Sequence, residues 1–136
     1  MSSASPEEVV RDFCANFGPG YEQMVATGKR LVHEDVHWVA PTQEKPITSL
    51  DGFLADLARA KELGVHGFAF EIPFLAVDGD VVLMQRKDKT LDKDGNVLAE
   101  LDMMCMHCVQ DGKFRWVREY FFDPAAYVAA WGDVNA

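Results

Sequence analysis

The sequence has little of what marks several large classes of protein. It has 3 cysteines, an odd number that cannot all pair within one chain, which favours a reducing, cytoplasmic setting over a secreted disulfide scaffold. Its 13 Lys and Arg face 22 Asp and Glu, and the resulting net charge of −9 argues against nucleic acids and anionic membranes as partners. No apolar run is long enough to cross a bilayer, and the first residues lack the basic region and apolar core of a signal peptide.

The remaining composition is that of an ordinary folded protein. Apolar residues make up 49% of the chain and charged residues 26%, so disorder is not indicated. We find no internal repeat, low-complexity tract or linker. The length therefore fits one domain, residues 1–136, with a core of its own.

The first half of the chain predicts three helices. Ser5 to Glu8 have the pattern of a capping box, and apolar residues at helical spacing follow, so a helix is predicted over residues 6–17. A second helix is predicted from Tyr21. A third follows Ser49 as its N-cap and ends before Gly64.

From residue 65 onward the apolar pattern becomes that of a sheet. Asp-Gly pairs at 78–79, 94–95 and 111–112 divide this part into four strands, and such pairs are typical of hairpin turns between antiparallel strands. The sequence PAAYVAAW near the end predicts a short closing helix or lid. We therefore expect an α+β fold: three N-terminal helices packed in the concave face of a curved, mainly antiparallel sheet, with a conical cavity between the two layers.

One strand carries an unusual pair of charges. Alternation puts Arg86 and Asp88 on the same face as Val82 and Met84, which should point inward, while the lysines between and after them face water. Buried charges need partners, and Glu119 of the last strand is a third group that can reach Arg86. A guanidinium that bridges two carboxylates can hold one as an acid and the other as a base. The alternative is a structural salt-bridge cluster.

The facing of the last strand is open at this point. Met104 and Met106 fall on the outer face of their strand. If Glu119 points inward, Trp116, Arg118 and Tyr120 lie on that face too, and the set suits a homodimer interface. A single bulge in the last strand would instead turn Arg118 and Tyr120 inward.

Two short motifs have the spacing of metal ligands. Residues 33–37, HEDVH, match H-E-x-x-H, but Trp38 and the neighbouring valines favour a strand, whereas zinc chemistry needs a helix here. Cys105 and Cys108 are three apart on a predicted strand, so they point to opposite faces. No metal site is therefore expected. His107 shares the inward face with Cys105, either as a core histidine or as a proton donor or acceptor that lines the cavity.

The two charged strands resemble those of a known family. Arg86-Lys87-Asp88, followed on the last strand by Val117-Arg118-Glu119-Tyr120-Phe121, is similar to the limonene epoxide hydrolase family. That family belongs to a cone-shaped, cystatin-like α+β superfamily shared with ketosteroid isomerase, nuclear transport factor 2 and the SnoaL-type polyketide cyclases. The resemblance covers most of the chain in element order and is specific in these two strand motifs.

The resemblance implies a small enzyme without a cofactor, in agreement with the lack of any flavin, nicotinamide or metal motif. Arg86 would bridge the two carboxylates, Asp88 would protonate the epoxide oxygen, and Glu119 would activate the attacking water in a single step. The substrate would be small and apolar. Its pocket wall would come from Leu101, Met103 and Phe121, with Phe68, Phe70 and Phe74 as further aromatic contributors.

The sequence departs from the family pattern at two places. Glu119 replaces an aspartate, which keeps the carboxylate and lengthens the side chain by one methylene group. The family holds its water with a tyrosine and an asparagine on the first strand, where this chain has His37 and Val39, with Trp38 between them. His37 is able to hold a water and is assigned to the pocket with Trp38 and His107, whereas Val39 has no polar group.

Two other functions stay open. A SnoaL-like cyclase or a ketosteroid-isomerase-like isomerase does not require the missing asparagine, and Glu71 would be a further base for it if its strand turned it inward. A non-catalytic binding or assembly module is also compatible with this shape. The module predicts that Arg86, Asp88 and Glu119 form a closed network without a cavity, whereas the enzymes predict an open apolar pocket above them.

Overall fold

The structure is a computed structural model that describes residues 4–40, 44–121 and 124–132. Its elements, in chain order, are α1 (Pro6–Asn16), α2 (Tyr21–Leu31), β1 (Val32–Val39), α3 (Leu50–Glu62), β2 (Gly67–Asp78), β3 (Val81–Leu91), β4 (Val97–Gln110), β5 (Lys113–Phe121) and α4 (Pro124–Trp131). The predicted α+β class, with helices packed against a curved, mainly antiparallel sheet and a short C-terminal helix, is confirmed, and β1 lies between α2 and α3.

The helix ends are formed by the residues expected from the sequence. Ser5 Oγ accepts from the Glu8 N–H at 3.2 Å, and Glu8 Oε1 accepts from the Ser5 N–H at 3.2 Å, which completes the capping box of α1. Ser49 Oγ accepts from the Gly52 N–H at 2.9 Å at the start of α3. Helix α1 ends at Asn16, one residue before the predicted limit.

The five strands form one sheet in the order β1-β5-β4-β3-β2. Strands β2 to β5 are an antiparallel meander, and β1 pairs in parallel with β5. The HEDVH motif lies within β1, as predicted, so its two histidines are not one helical turn apart. Because β1 is next to β5, side chains of the first and last strands meet on the concave face.

The helices cover the concave face and form the core with it. Val9, Val10 and Phe13 of α1 are buried against the sheet. At the start of β2 the backbone passes so close to the loop after α1 that a Cβ on Gly67 would lie 2.0 Å from the Pro19 carbonyl oxygen. Only glycine fits this position.

The convex face of the sheet is open. Leu83, Met104 and Tyr120 are 38%, 43% and 55% exposed there. A homodimer through this face stays a prediction, since the structure is of one chain. The role of α4 as a lid also stays a prediction, and residues 133–136 lie outside the described residues. Among the described residues, no helix combines the length and the apolar character needed to cross a membrane.

Candidate functional site

An arginine that bridges two carboxylates lies at the centre of the concave face. Arg86 and Asp88 are 2% and 3% exposed. Arg86 donates from Nε to Asp88 Oδ1 at 2.6 Å and from Nη2 to Asp88 Oδ2 at 2.8 Å. Nη2 also donates to Glu119 Oε2 at 2.5 Å. This two-nitrogen contact fixes the plane of the guanidinium relative to Asp88, and the shared Nη2 places Glu119 beside it.

The register of the sheet brings these side chains together. Arg86 of β3 pairs with Met103 of β4, and Met103 pairs with Phe121 of β5. Glu119 precedes Phe121 by two residues, so it is the next inward-facing side chain on β5 and lies near Arg86. Trp38 of β1 pairs with Val117 of β5. From there its indole Nε1 donates to Glu119 Oε1 at 2.8 Å. Each oxygen of Glu119 therefore accepts one hydrogen bond from the protein and keeps a further lone pair.

Burial and charge set the protonation of the cluster. Burial raises the pKa of Asp88, against the hydrogen bonds and positive charge of Arg86, and the negative charge of Glu119 raises it further. Burial lowers the pKa of Arg86, but Glu119 and Asp88 outweigh it, so the net pKa is raised and the guanidinium stays charged. Burial thus makes Asp88 easier to protonate than an exposed aspartate, beside a guanidinium that stays charged.

A cavity of about 210 Å³ opens above the cluster. Its lining is mostly apolar and includes Phe17, Trp38, Ala40, Ile47, Phe53, Asp56, Leu57, Phe68, Phe70, Arg86, Asp88, Thr90, Leu101, Met103, Glu119 and Phe121. The rings of Phe68 and Phe70 in this lining are stacked, with centroids 5.8 Å apart and an angle of 5° between their planes. The Arg86 guanidinium carbon lies 4.9 Å from the centroid of Phe70.

Most of the residues assigned from the sequence lie around this cavity. Arg86, Asp88 and Glu119 are in mutual contact, and Glu119 faces the cavity while Tyr120 is exposed on the other side of β5. The predicted wall residues Phe70, Leu101, Met103 and Phe121 line the cavity, as do Phe68 and Trp38. Their positions are established by the structure, and their roles in binding and catalysis stay predictions.

The assignment of His37 to the pocket is wrong. In β1 the inward positions are Val36 and Trp38, both buried, and His37 is exposed on the opposite face. The donor that contacts Glu119 from this strand is Trp38. The apolar residues Val36, Trp38 and Ala40 alternate in the sequence, and this alternation indicated which side chains of the strand face inward. The comparison with the family's tyrosine and asparagine instead selected the neighbouring positions, one residue away.

In β2 the contribution of Phe74 to the pocket wall is not found, and the condition set for Glu71 as a further base is not met. Phe74 is 52% exposed and does not line the cavity. Glu71 does not turn inward: its side chain is exposed and accepts from Lys89 Nζ at 3.3 Å. The pairing of β2 with β3 shifts register between Glu71 and Phe74, and this irregularity changes which residues face inward along the strand.

His107 lies behind the cluster rather than on the cavity wall. It is fully buried, and its ring packs against Phe114, Trp38 and Phe13 with centroid distances of 4.5, 5.8 and 6.4 Å. Its assignment to substrate binding is therefore wrong, because the aromatic rings and Arg86 separate it from the cavity. Burial, followed by the charge of Arg86, holds its pKa well below 6.5. The sequence indicated its inward facing but not its depth.

Sequence reasoning missed the contribution of the helices to the cavity. Phe17 follows α1, and Phe53, Asp56 and Leu57 come from α3. Phe53 and Leu57 are four residues apart and form one apolar stripe along α3. The same stripe buries part of its surface in the core and presents the rest to the cavity.

Comparison with known proteins defines the class of fold. No model of a known protein family matches the chain, and no curated protein matches its sequence significantly. Among solved structures, an LEH-like epoxide hydrolase from M. tuberculosis superposes with a TM-score of 0.69 at 20% identity, over 86% of this chain and 82% of that one. A protein of unknown function with a cystatin-like fold from Xanthomonas campestris has a TM-score of 0.70 at 18% identity, over 96% and 100% of the two chains.

A third solved structure, described as a SnoaL-like polyketide cyclase from Jannaschia sp. CCS1, superposes with a TM-score of 0.68 at 13% identity, over 97% of this chain and 98% of that one. The predicted fold is thereby confirmed: this chain has the cone-shaped α+β fold of the cystatin-like proteins. At these identities the likeness shows the fold alone, because one fold of this kind carries hydrolases, cyclases and isomerases.

Proposed function

We propose that this protein is a cofactor-free enzyme that hydrolyses a small apolar epoxide by direct attack of an activated water. The observation that carries the proposal is the position of the Arg86 bridge at the base of an open, largely apolar cavity, with both carboxylates among the lining residues. The hypothesis of a non-catalytic module instead requires that the three charged side chains form a closed network without a cavity above them. The described cavity therefore favours an enzyme.

The two carboxylates take complementary roles in the proposed reaction. Glu119, fixed by Trp38 and Arg86, accepts a proton from a water through a remaining lone pair, and the water oxygen forms a bond to one epoxide carbon. The bond from that carbon to the epoxide oxygen breaks, and Asp88 donates its proton to that oxygen, so the product is a vicinal diol. The proton on Glu119 then returns to Asp88 through solvent, which restores the starting state.

The shape of the cavity suggests the substrate class. Its volume of about 210 Å³ is below the roughly 300–1,000 Å³ of pockets for drug-sized ligands, which favours a small molecule. Its lining contains several aromatic side chains, Phe68 and Phe70 among them, which suits a substrate that carries an aromatic ring. An aryl epoxide is therefore expected to be a better substrate than a steroid epoxide.

A SnoaL-like cyclisation or a ketosteroid-isomerase-like proton transfer is the second candidate. It is favoured by one observation on β1: among the described residues, Trp38 is the hydrogen-bond donor to Glu119 from this strand, and Val36 beside it is apolar. A reaction that uses Glu119 as a base toward a carbon acid and Asp88 as an acid toward a carbonyl oxygen needs no bound water.

The test is hydrolysis of a panel of aryl, terpene and steroid epoxides by the wild type, Asp88→Asn and Glu119→Gln. Loss of a general acid or base costs about 10²–10⁴-fold in rate, so we expect a decrease of that size in kcat for each variant. Glu71→Gln is the matched control, because Glu71 is a carboxylate on the same sheet that lies outside the cavity. Circular dichroism and thermal unfolding establish that each variant is folded.

Each outcome decides between the candidates. Turnover that is lost in both site variants and retained in Glu71→Gln supports the acid–base pair. A folded wild type that converts no epoxide contradicts the hydrolase proposal and leaves the cyclase or isomerase, which is then assayed by exchange of the α-protons of small enolisable ketones in heavy water. If neither reaction occurs, the site is structural.

A further inference from the structure

Within the described part of the chain, the side chain of His107 makes one polar contact, and that contact is with the bridging arginine. Its Nε2 lies 3.3 Å from Arg86 Nη1, and the imidazole is completely buried. Nε and Nη2 of Arg86 are used by the two carboxylates, so Nη1 is the guanidinium nitrogen that faces away from them. Among the described residues, His107 is the partner recorded for this nitrogen.

The chemistry of the two groups defines the state of the imidazole. A guanidinium has donors and no acceptor, so Nε2 of His107 must accept the hydrogen bond and cannot carry a proton. The ring is then neutral with its proton on Nδ1. The Nδ1–H has no hydrogen-bond partner within the described part of the chain.

This unpaired Nδ1 is the notable feature of the arrangement. Buried polar groups are nearly always paired, so an unpaired one calls for an explanation. An apolar side chain of similar size would remove the unpaired Nδ1–H, but it would leave Nη1 of Arg86 buried without an acceptor. The imidazole is therefore explained by its acceptor nitrogen, and the aromatic rings of Phe114 and Trp38 hold it in the required orientation.

We propose that His107 is a positioning residue: by accepting from Nη1 it holds the end of the guanidinium that neither carboxylate contacts, and so helps Asp88 to keep Nη2 between the two carboxylates. It contacts neither carboxylate and does not line the cavity. The inference about catalysis rests on the proposed function. The inference about geometry does not, since it concerns only the state of His107 and Arg86.

The kinetic test compares two variants of the same position. His107→Gln retains a side-chain oxygen that can accept from Nη1, whereas His107→Phe retains an aromatic ring without an acceptor. A misplacement of about 1 Å costs about 10²-fold in rate, so we expect His107→Phe to lower kcat by about that factor with an unchanged KM. His107→Gln should retain most of the wild-type kcat. Equal kcat in the Phe variant and the wild type would overturn the catalytic part.

A second measurement is independent of turnover. Nitrogen-15 NMR of the wild type should show Nδ1 of His107 protonated and Nε2 unprotonated from pH 8 to pH 5. The Nη1 protons of Arg86 should exchange slowly in the wild type and in His107→Gln, and rapidly in His107→Phe. A proton on Nε2, or an imidazole that titrates in this range, overturns the proposal.

The two measurements separate the possible failures. A wild type that turns over no epoxide contradicts the proposed function, while the NMR result still decides whether His107 positions Arg86. Should His107→Phe fail to fold, the wild-type tautomer and the comparison with His107→Gln still decide the question. A correct tautomer together with rapid exchange of the Nη1 protons in the wild type would contradict positioning.

Discussion

The buried, neutral state of His107 predicts that the protein loses stability in mild acid. Because the folded pKa of His107 is held well below 6.5, the unfolded chain binds a proton below pH 6.5 that the folded chain does not. The contribution of His107 to the free energy of unfolding therefore falls as the pH falls below 6.5. The charged group that acts on the imidazole is Arg86 of β3, and the nearby carboxyls that it binds are Asp88 and Glu119.

The size of this effect follows from the pKa of an unfolded histidine. Protonation of a group with a pKa of about 6.5 stabilises the unfolded state by about 2 kcal/mol at pH 5 and by less than about 0.1 kcal/mol at pH 7.5. The imidazole alone should thus remove about 2 kcal/mol of stability between these two pH values.

Urea denaturation of the wild type and His107→Gln at a series of pH values isolates this contribution. All other titrating groups are common to both proteins, including Asp88, whose raised pKa acts in the opposite direction by favouring the folded state as the pH falls. From pH 7.5 to pH 5 the wild type should therefore lose about 2 kcal/mol of unfolding free energy relative to His107→Gln. A difference that stays constant would refute the buried neutral imidazole.

Three further changes have expected results. Arg86→Met leaves two carboxylates near each other without a cation and should cost about 3–5 kcal/mol in urea denaturation; a loss below about 1 kcal/mol would contradict its role as the counter-charge. Trp38→Phe removes the donor to Glu119 Oε1, and one lost hydrogen bond of about 1.4 kcal/mol should lower kcat about tenfold; unchanged kinetics would show that the indole does not hold the carboxylate. Gly67→Ala places a Cβ 2.0 Å from the Pro19 carbonyl oxygen and should cost about 3 kcal/mol, measured as a lower thermal midpoint; an unchanged midpoint would contradict the close approach.

The order of the elements and the facing of β3 are local properties, and the sequence predicts both. Asp-Gly pairs mark the hairpin turns, and Gly79, Gly95 and Gly112 have positive φ values of 59°, 83° and 75°. In β3 the pairing with β4 is regular from Val81 to Thr90, so strict alternation holds and Arg86 and Asp88 share the inward face.

Alternation fails as a predictor where the strand is irregular. The register shift in β2 lies between Glu71 and Phe74, and it leaves both side chains away from the cavity. Nothing in the single sequence states where a bulge occurs, because a bulge depends on how the partner strand and the helices pack. The error at His37 has a different cause. The inward side of β1 is indicated by the strand's own apolar residues, whereas the prediction relied on the family's motif.

The sequence by itself determined the hairpin turns and, in the regular strand β3, which residues share a face, because these depend on contacts within a few residues of chain. The site itself required the tertiary structure. Glu119 and Trp38 are 81 residues apart, and Arg86 is 33 residues from Glu119; only the sheet order β1-β5-β4-β3 brings them within hydrogen-bond distance. The tertiary structure also decides how deeply each inward side chain is buried. Met103 and His107 point to the same side of β4, yet Met103 lines the cavity and aromatic rings pack around His107.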